Sequence, residues 1–251
     1  MGQGGIDQGG IGRGEHLRAG STGSTGSIGR AGSRPRPRVL VLYGGQSSEH
    51  EVSCLTAASV LGAIDPERYD VIGVGISRDG RWLLQDRPPG PPHPSQPPQS
   101  EAGGAGRLPS VGEGVEVVLA PDPTRRMLAV YQPSKPATLL GPIDVVFPLL
   151  HGPGGEDGTV QGLLELARIP YVGSGVFASA AGMDKGHMRQ LFHAAGLPIA
   201  PWVLVTPRRW TADPAGVQAE VDALGYPVFV KPARAGSSIG ISKVSDPDRL
   251  G

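Results

Sequence analysis

The chain has 251 residues, enough for one or two domains with a buried core, and 23 Lys and Arg balance 23 Asp and Glu. A neutral chain has no global field to collect nucleic acid or an anionic membrane, and no apolar run approaches the ~18–20 residues of a membrane span. The single cysteine, Cys54, excludes an intramolecular disulfide, and the N-terminus lacks the apolar stretch of a secretory signal, so the expectation is a cytoplasmic protein.

Composition then divides the chain. Gly 40 and Pro 26 are in surplus, and they concentrate in two segments. Residues 1–33 are mostly Gly, Ser, Thr and Ala with scattered Arg. Such a stretch cannot bury enough apolar surface to offset its ordering entropy, so residues 1–37 read as a disordered tail ending in the stiff spacer Arg34-Pro35-Arg36-Pro37-Arg38. Residues 87–114 are the second such segment. Pro88-Pro89-Gly90-Pro91-Pro92 fits neither a central strand nor a helix interior, which predicts a surface loop.

Between and after these segments the elements follow in order. Val39 to Tyr43 is a continuous apolar run of strand length, as in a buried parallel strand. Gly44-Gly45 ends it, and Ser48 with Glu51 reads as a capping box opening a helix. Val52, Leu55 and Val60 continue at helical spacing until Asp65-Pro66. Val71 to Ile76 is a second strand, and a turn at Ser77 to Gly80 leads to Trp82-Leu83-Leu84. Val115 to Leu119 and Met127 to Tyr131 read as two short strands, and Ile143 to Leu150 as another buried one. Val160, Leu163, Leu164 and Ala167 mark a helix, and Ile169 to Val172 a strand. Met188, Leu191, Phe192 and Ala195 form an amphipathic set closed by Gly196. Asp213-Pro214 opens a helix carrying Val217, Val221 and Leu224, closed by Gly225. Val228 to Lys231 and Ile239 to Val244 are strands flanking a small-residue loop. Alternating strands and helices predict an α/β fold with an open parallel sheet.

Three segments could carry chemistry. The first is Gly44-Gly45-Gln46-Ser47-Ser48-Glu49-His50-Glu51, at the carboxyl end of a strand, where open α/β sheets bind ligands. Glu49 there either holds a substrate ammonium or serves the helix dipole. The second is His151-Gly-Pro-Gly-Gly-Glu-Asp-Gly158, whose glycines allow close backbone approach. His151 shares a mouth with Glu49 if the sheet is parallel. The third is Lys231-Pro-Ala-Arg-Ala-Gly-Ser-Ser-Ile-Gly240. A lysine at a strand end followed by a Gly/Ser loop is a phosphate cradle or a polar hairpin, and with a strand following it is not a Walker loop. Lys185 could be a second phosphate lysine or a solvated residue of a helix start. Gly173-Ser-Gly175-Val-Phe-Ala178 imitates a dinucleotide fingerprint, but residues 190–200 hold no acidic partner for a ribose. Cys54 reads as a packing residue, with a Cys–His pair with His151 as the alternative.

Together and in this order, these segments resemble the D-alanine–D-alanine ligase family from Arg38 to Gly251. The resemblance also rests on Gly173-Ser-Gly-Val-Phe-Ala-Ser179, Met183-Asp-Lys185 and Gly196-Leu-Pro-Ile-Ala-Pro-Trp202. It implies an N-terminal α/β substrate-binding domain over 38–180 and the first part of an ATP-grasp domain over 181–251. It further implies ATP-dependent joining of two D-alanines through an acyl phosphate, with Mg2+ or Mn2+, in a homodimer, for peptidoglycan precursors. By the same resemblance Glu49 holds the first substrate's ammonium and His151 lies by its carboxylate. Lys185, Lys231, Gly236, Ser237 and Ser238 bind ATP, and Ser237 couples a closing flap to Glu49. The family's metal ligands include an asparagine, and this sequence contains none. A domain opening near Met183 falls short of the typical ~100–150 residues at Gly251, so the reading is of a fragment inactive on its own. The alternatives are a non-catalytic nucleotide- or amino-acid-binding remnant and a ligase taking D-lactate as second substrate.

Overall fold

The computed structural model describes residues 35–85 and 108–250. Residues 1–34 of the tail read over 1–37, and the part of the proline-rich loop before residue 108, lie outside them. Strand β1 (Arg38–Gly44) is the centre of the fold. It pairs in parallel with β2 (Asp70–Ile76) on one side and β7 (Val145–Pro148) on the other. Beyond β2 the sheet continues as an antiparallel meander of β3 (Trp82–Leu84), β4 (Val115–Leu119), β5 (Met127–Val130) and β6 (Thr138–Pro142). The order is β6-β5-β4-β3-β2-β1-β7, so the parallel part is the three strands around β1.

The apolar run in β1 is continuous because both faces are covered. Leu40 and Leu42 point into one cluster with Val146 of β7 and with Val160, Leu164 and Ala167, contributed by helix α2 (Thr159–Leu166) and the residue after it. Val39, Val41 and Tyr43 point the other way, onto Cys54 and Ala57 of helix α1 (His50–Ala63). The period of two along the strand thus divides the core into two layers.

Helix α1 departs from the sequence reading in two respects. Ser48 is not its cap. Glu49 stands at the N-cap without a side-chain capping bond, while its own amide donates to Ser47 Oγ at 3.0 Å. Glu51 reaches Arg78 instead of closing a capping box. Nor do Val52 and Leu55 face the core. The buried stripe is His50, Ser53, Cys54 and Ala57, at i, i+3, i+4 and i+7, while Val52 and Leu55 are exposed. Small side chains let the helix lie close on β1. The fully buried Ser53 hydroxyl accepts from Gly44 N at 2.7 Å and donates to Leu149 O at 2.6 Å. One hydroxyl thereby satisfies an amide and a carbonyl at two parallel strand ends.

After the sheet the chain is mainly helical. Gly173-Ser174-Gly175 leads into α3 (Val176–Met183), and α4 (Lys185–Ala194) follows directly. Tyr171 makes only an isolated parallel bridge with Val146, where a full strand was expected. Leu191 and Phe192 of α4, expected to be packed, are exposed. Thr206 caps a short α5 (Pro207–Ala212) that the apolar periodicity does not announce. Asp213 caps α6 (Pro214–Asp222), whose Val217 and Val221 are buried as the pattern requires. Strands β8 (Val228–Val230) and β9 (Ser242–Val244) form a separate antiparallel pair. The second is shorter than expected because Ile239 and Ile241 belong to the intervening loop. Among the described residues no helix is long and apolar enough to cross a membrane.

Candidate active site

The site grows from the carboxyl ends of β1 and β7, which lie side by side because the two strands run in parallel. Gly44 and Gly45 turn the chain away from β1 with φ 86° and 97°. A Cβ on Gly44 would fall 2.3 Å from Ile76 O, so only glycine fits. His50 then locks this turn. Its Nδ1 donates to Gly45 O at 2.7 Å, and its Nε2 accepts from Val111 N at 3.2 Å. This fully buried histidine is thus a structural clamp between the glycine turn and the 110–111 segment. Val111 itself packs into the α1 core layer, so the end of the proline-rich segment is docked rather than a free surface excursion.

The clamp leaves Glu49 at the mouth. Its carboxylate lies between two loops: a Cβ on Gly152 would come 2.6 Å from Glu49 Oε2, and one on Gly236 would come 3.0 Å from it. Ser237 Oγ donates to Glu49 Oε1. Residues 188 positions apart, singled out separately in the sequence, therefore meet. His151 ends the β7 segment beside Gly152. Thr56 Oγ1 donates to Val52 O at 3.0 Å and so accepts from His151 Nε2 at 3.0 Å. His151 also lines a cavity of about 530 Å3 with Thr56, Glu156, Gln161 and Ser174. The Gly-rich run around it is self-bonded: Gly152 N donates to Glu156 Oε2 at 2.7 Å, and Gly154 N to Asp157 Oδ2 at 2.9 Å. Burial raises the Asp157 carboxyl, but the hydrogen bonds from Gly154 and Thr159 outweigh it and hold the group below its ordinary range.

The 231–241 loop brings the remaining candidates together. Lys185, Lys231, Gly236, Ser237 and Ser238 line one cavity of about 150 Å3. Ser237 and Ser238 both adopt left-handed backbone, φ 47° and 60°, at a cost of roughly 1–3 kcal/mol each. That fold closes the loop on itself through Ile239 N to Gly236 O at 3.0 Å and Ile241 N to Ser238 O at 3.3 Å. Lys185 Nζ donates to Ala235 O at 2.5 Å, so this ammonium is held at the cavity wall by the loop backbone.

Sequence reasoning passed over two partners. Thr56, which orients His151, lies seven residues after Glu49, two helical turns along α1, a spacing that puts it on the Glu49 side of the helix but does not point to His151. Arg234, whose Nε donates to Asp184 Oδ2 at 2.8 Å, carried no local signal, because its partner is 50 residues away. Cys54 is not a nucleophile paired with His151. It is fully buried, burial pushes its thiol up to about 11, and His151 bonds Thr56. The dinucleotide-like run at 173–178 forms the entry to α3 and follows a single bridge rather than a strand.

Comparison with known proteins bears on the family of the chain. A family profile described as D-ala D-ala ligase N-terminus matches residues 38–174, and one described as D-ala D-ala ligase C-terminus matches 191–251. A D-alanine--D-alanine ligase of Pseudarthrobacter chlorophenolicus is 53% identical over 223 residues, covering 88% of this chain and 56% of that protein. One of Kineococcus radiotolerans is 52% identical over 221 residues, covering 87% and 56%. The chain spans about half the length of the curated relatives it matches. Among solved structures, the D-Ala:D-Ser ligase VanG of Enterococcus faecalis superposes with TM-score 0.65 at 31% identity, covering 86% of this chain and 57% of that one. The D-alanine-D-alanine ligase of Coxiella burnetii gives 0.64 at 32%, covering 85% and 58%. The two profiles follow one another along the chain and contain the Glu49, His151 and 231–240 segments: the protein belongs to the D-alanine–D-alanine ligase family.

Proposed function

We propose that this chain carries the first-substrate end and the phosphate-binding loop of an ATP-dependent D-alanine–D-alanine ligase that acts in the cytoplasm to supply D-alanyl-D-alanine for peptidoglycan precursors. The observation that carries the reading is the meeting of Glu49 with Ser237, beside a cavity lined by two lysines. In this reading residues 38–180 are the substrate-binding domain and 181–251 the first part of the ATP-grasp domain.

Glu49 binds the ammonium of the first D-alanine, since its carboxylate faces the mouth and is not engaged by the helix as a cap. His151 lies toward the substrate carboxylate. A carboxylate oxygen attacks the γ-phosphorus of ATP and the bond to ADP breaks. The amine of the second D-alanine then attacks the acyl carbon, and phosphate leaves. Lys185 and Lys231 offset negative charge while the phosphoryl group moves. For this, Lys185 must exchange the Ala235 carbonyl for a phosphate oxygen. Among the described residues no three histidine, cysteine or carboxylate side chains come together as a metal site. The metal ligands are proposed for the rest of the protein, and the 251 residues alone are expected not to turn over.

The relatives at 48–53% identity carry the name D-alanine--D-alanine ligase, which favours D-alanine over D-serine or D-lactate as second substrate. The test is D-alanine-dependent ADP release by the whole protein. Glu49→Gln is expected to lower turnover roughly 100-fold, the scale of one charge-assisted contact to substrate, with the folded state intact. Undiminished turnover in Glu49→Gln would overturn the assignment of the ammonium site.

A further inference from the structure

Among the described residues the 231–241 loop is tied down at four points, and three of them lead to two adjacent residues at the start of α4. Lys185 N donates to Ala233 O at 3.0 Å and Lys185 Nζ to Ala235 O at 2.5 Å. Arg234 Nε donates to Asp184 Oδ2 at 2.8 Å. The fourth tie is Ser237 to Glu49. Asp184 is suited to its task. It is buried, its Oδ1 accepts from Gly186 N at 3.0 Å and His187 N at 3.2 Å, and Oδ2 remains for Arg234. One oxygen fixes the carboxylate to the helix and the other grips the loop.

We propose that Asp184 and Arg234 form a positioning pair that sets the loop over Glu49. The pair acts through the loop and touches no substrate. The reason for it lies in the competing demand on Lys185, and here the inference rests on the nucleotide reading of the cavity. When a phosphate draws the Lys185 ammonium from Ala235 O, the loop loses one of its two side-chain ties to α4. Arg234 keeps the other, because its guanidinium is mostly exposed outside the cavity and is not among the groups that line it. Ser237 therefore stays in register with Glu49 while the lysine changes partner. The left-handed Ser237 and Ser238 make such a tie necessary, because a strained turn relaxes when its anchors are released.

The experiment is amide hydrogen exchange on the whole protein, read at Ile239 and Ile241, whose amides are bonded within the loop. Asp184→Asn keeps a good helix cap but removes the charge that holds Arg234. It is expected to raise exchange at these amides roughly fivefold, a surface-discounted value for a charge-assisted contact, while Met188 in α4 is unchanged. Arg234→Gln should do the same, the double variant should add nothing, and Arg234→Lys should restore most of the protection. Wild-type rates in Asp184→Asn, or additive effects in the double variant, would overturn the pair. Adding ADP with Mg2+ separates the two readings. Slower exchange in the wild type supports the nucleotide cavity. No response to ADP, with the Asp184 and Arg234 effects intact, keeps the pair and removes the nucleotide from the cavity.

Discussion

Glu49 owes its position to what its neighbours do. His50 and Ser53 are buried and spent on backbone partners, which holds the start of α1 rigid and leaves the one outward carboxylate at the mouth. Gly152 shares the task from the other side, with φ 74° and no room for a methyl group. Gly152→Ala is expected to destabilise the chain by about 1–3 kcal/mol and to displace Glu49, seen as a lower midpoint in urea unfolding. An unchanged midpoint would mean that the loop has slack that the contact distances deny. Cys54 offers a second residue-level test. Burial holds its thiol near 11 against a side chain with no access to solvent, so a thiol reagent at pH 8 should label it only on unfolding. Labelling of the folded chain at the rate of a free thiol would contradict the packing role.

At the scale of elements, Asp184 joins α4 to the loop, and its protonation should report that joint. Arg234, foremost, and the hydrogen bonds from His187 hold its carboxyl far below the usual range against an opposing effect of burial. The folded value lies below the unfolded one, so the stabilisation is complete above about pH 4 and is lost as pH falls through the folded value. The protection factors of the Gly186 and His187 amides, corrected for intrinsic exchange at each pH, are therefore expected to hold down to about pH 4 and to fall only below it, and Asp184→Asn should abolish that acid limb. Elements whose signal is local were legible in the sequence: the β1 run, the end of α1 at Asp65-Pro66, and α6 between Asp213 and Gly225. The face of α1 was not, because apolar periodicity points to Val52 and Leu55 while close packing on β1 selects small residues. The extent of β9 was also misread, since Ile239 and Ile241 look like strand but serve a turn set by two left-handed serines.

At the scale of the molecule, function depends on how far apart in sequence the site's parts lie. Parallel pairing of β1 with β7 brings Glu49 and the His151 segment to one edge, and that followed from reading both runs as buried strands. Glu49, His151, Lys231 and residues 236–238 stood out as candidates for the same reason, as each sits at a strand end or in a Gly-rich turn, whereas Lys185 opens α4. Their joints, Thr56 to His151 and Arg234 to Asp184, were not, because no local rule pairs residues 95 or 50 positions apart. Glu49, His151 and the 231–241 loop are proposed to form one site for D-alanine and the phosphates of ATP. The most direct test is a crystal structure of the protein with D-alanine and ADP. The D-alanine ammonium is expected on Glu49 and the ADP phosphates against Lys185 and Lys231. Nucleotide bound instead at the 173–178 turn, with Glu49 free of substrate, would contradict it.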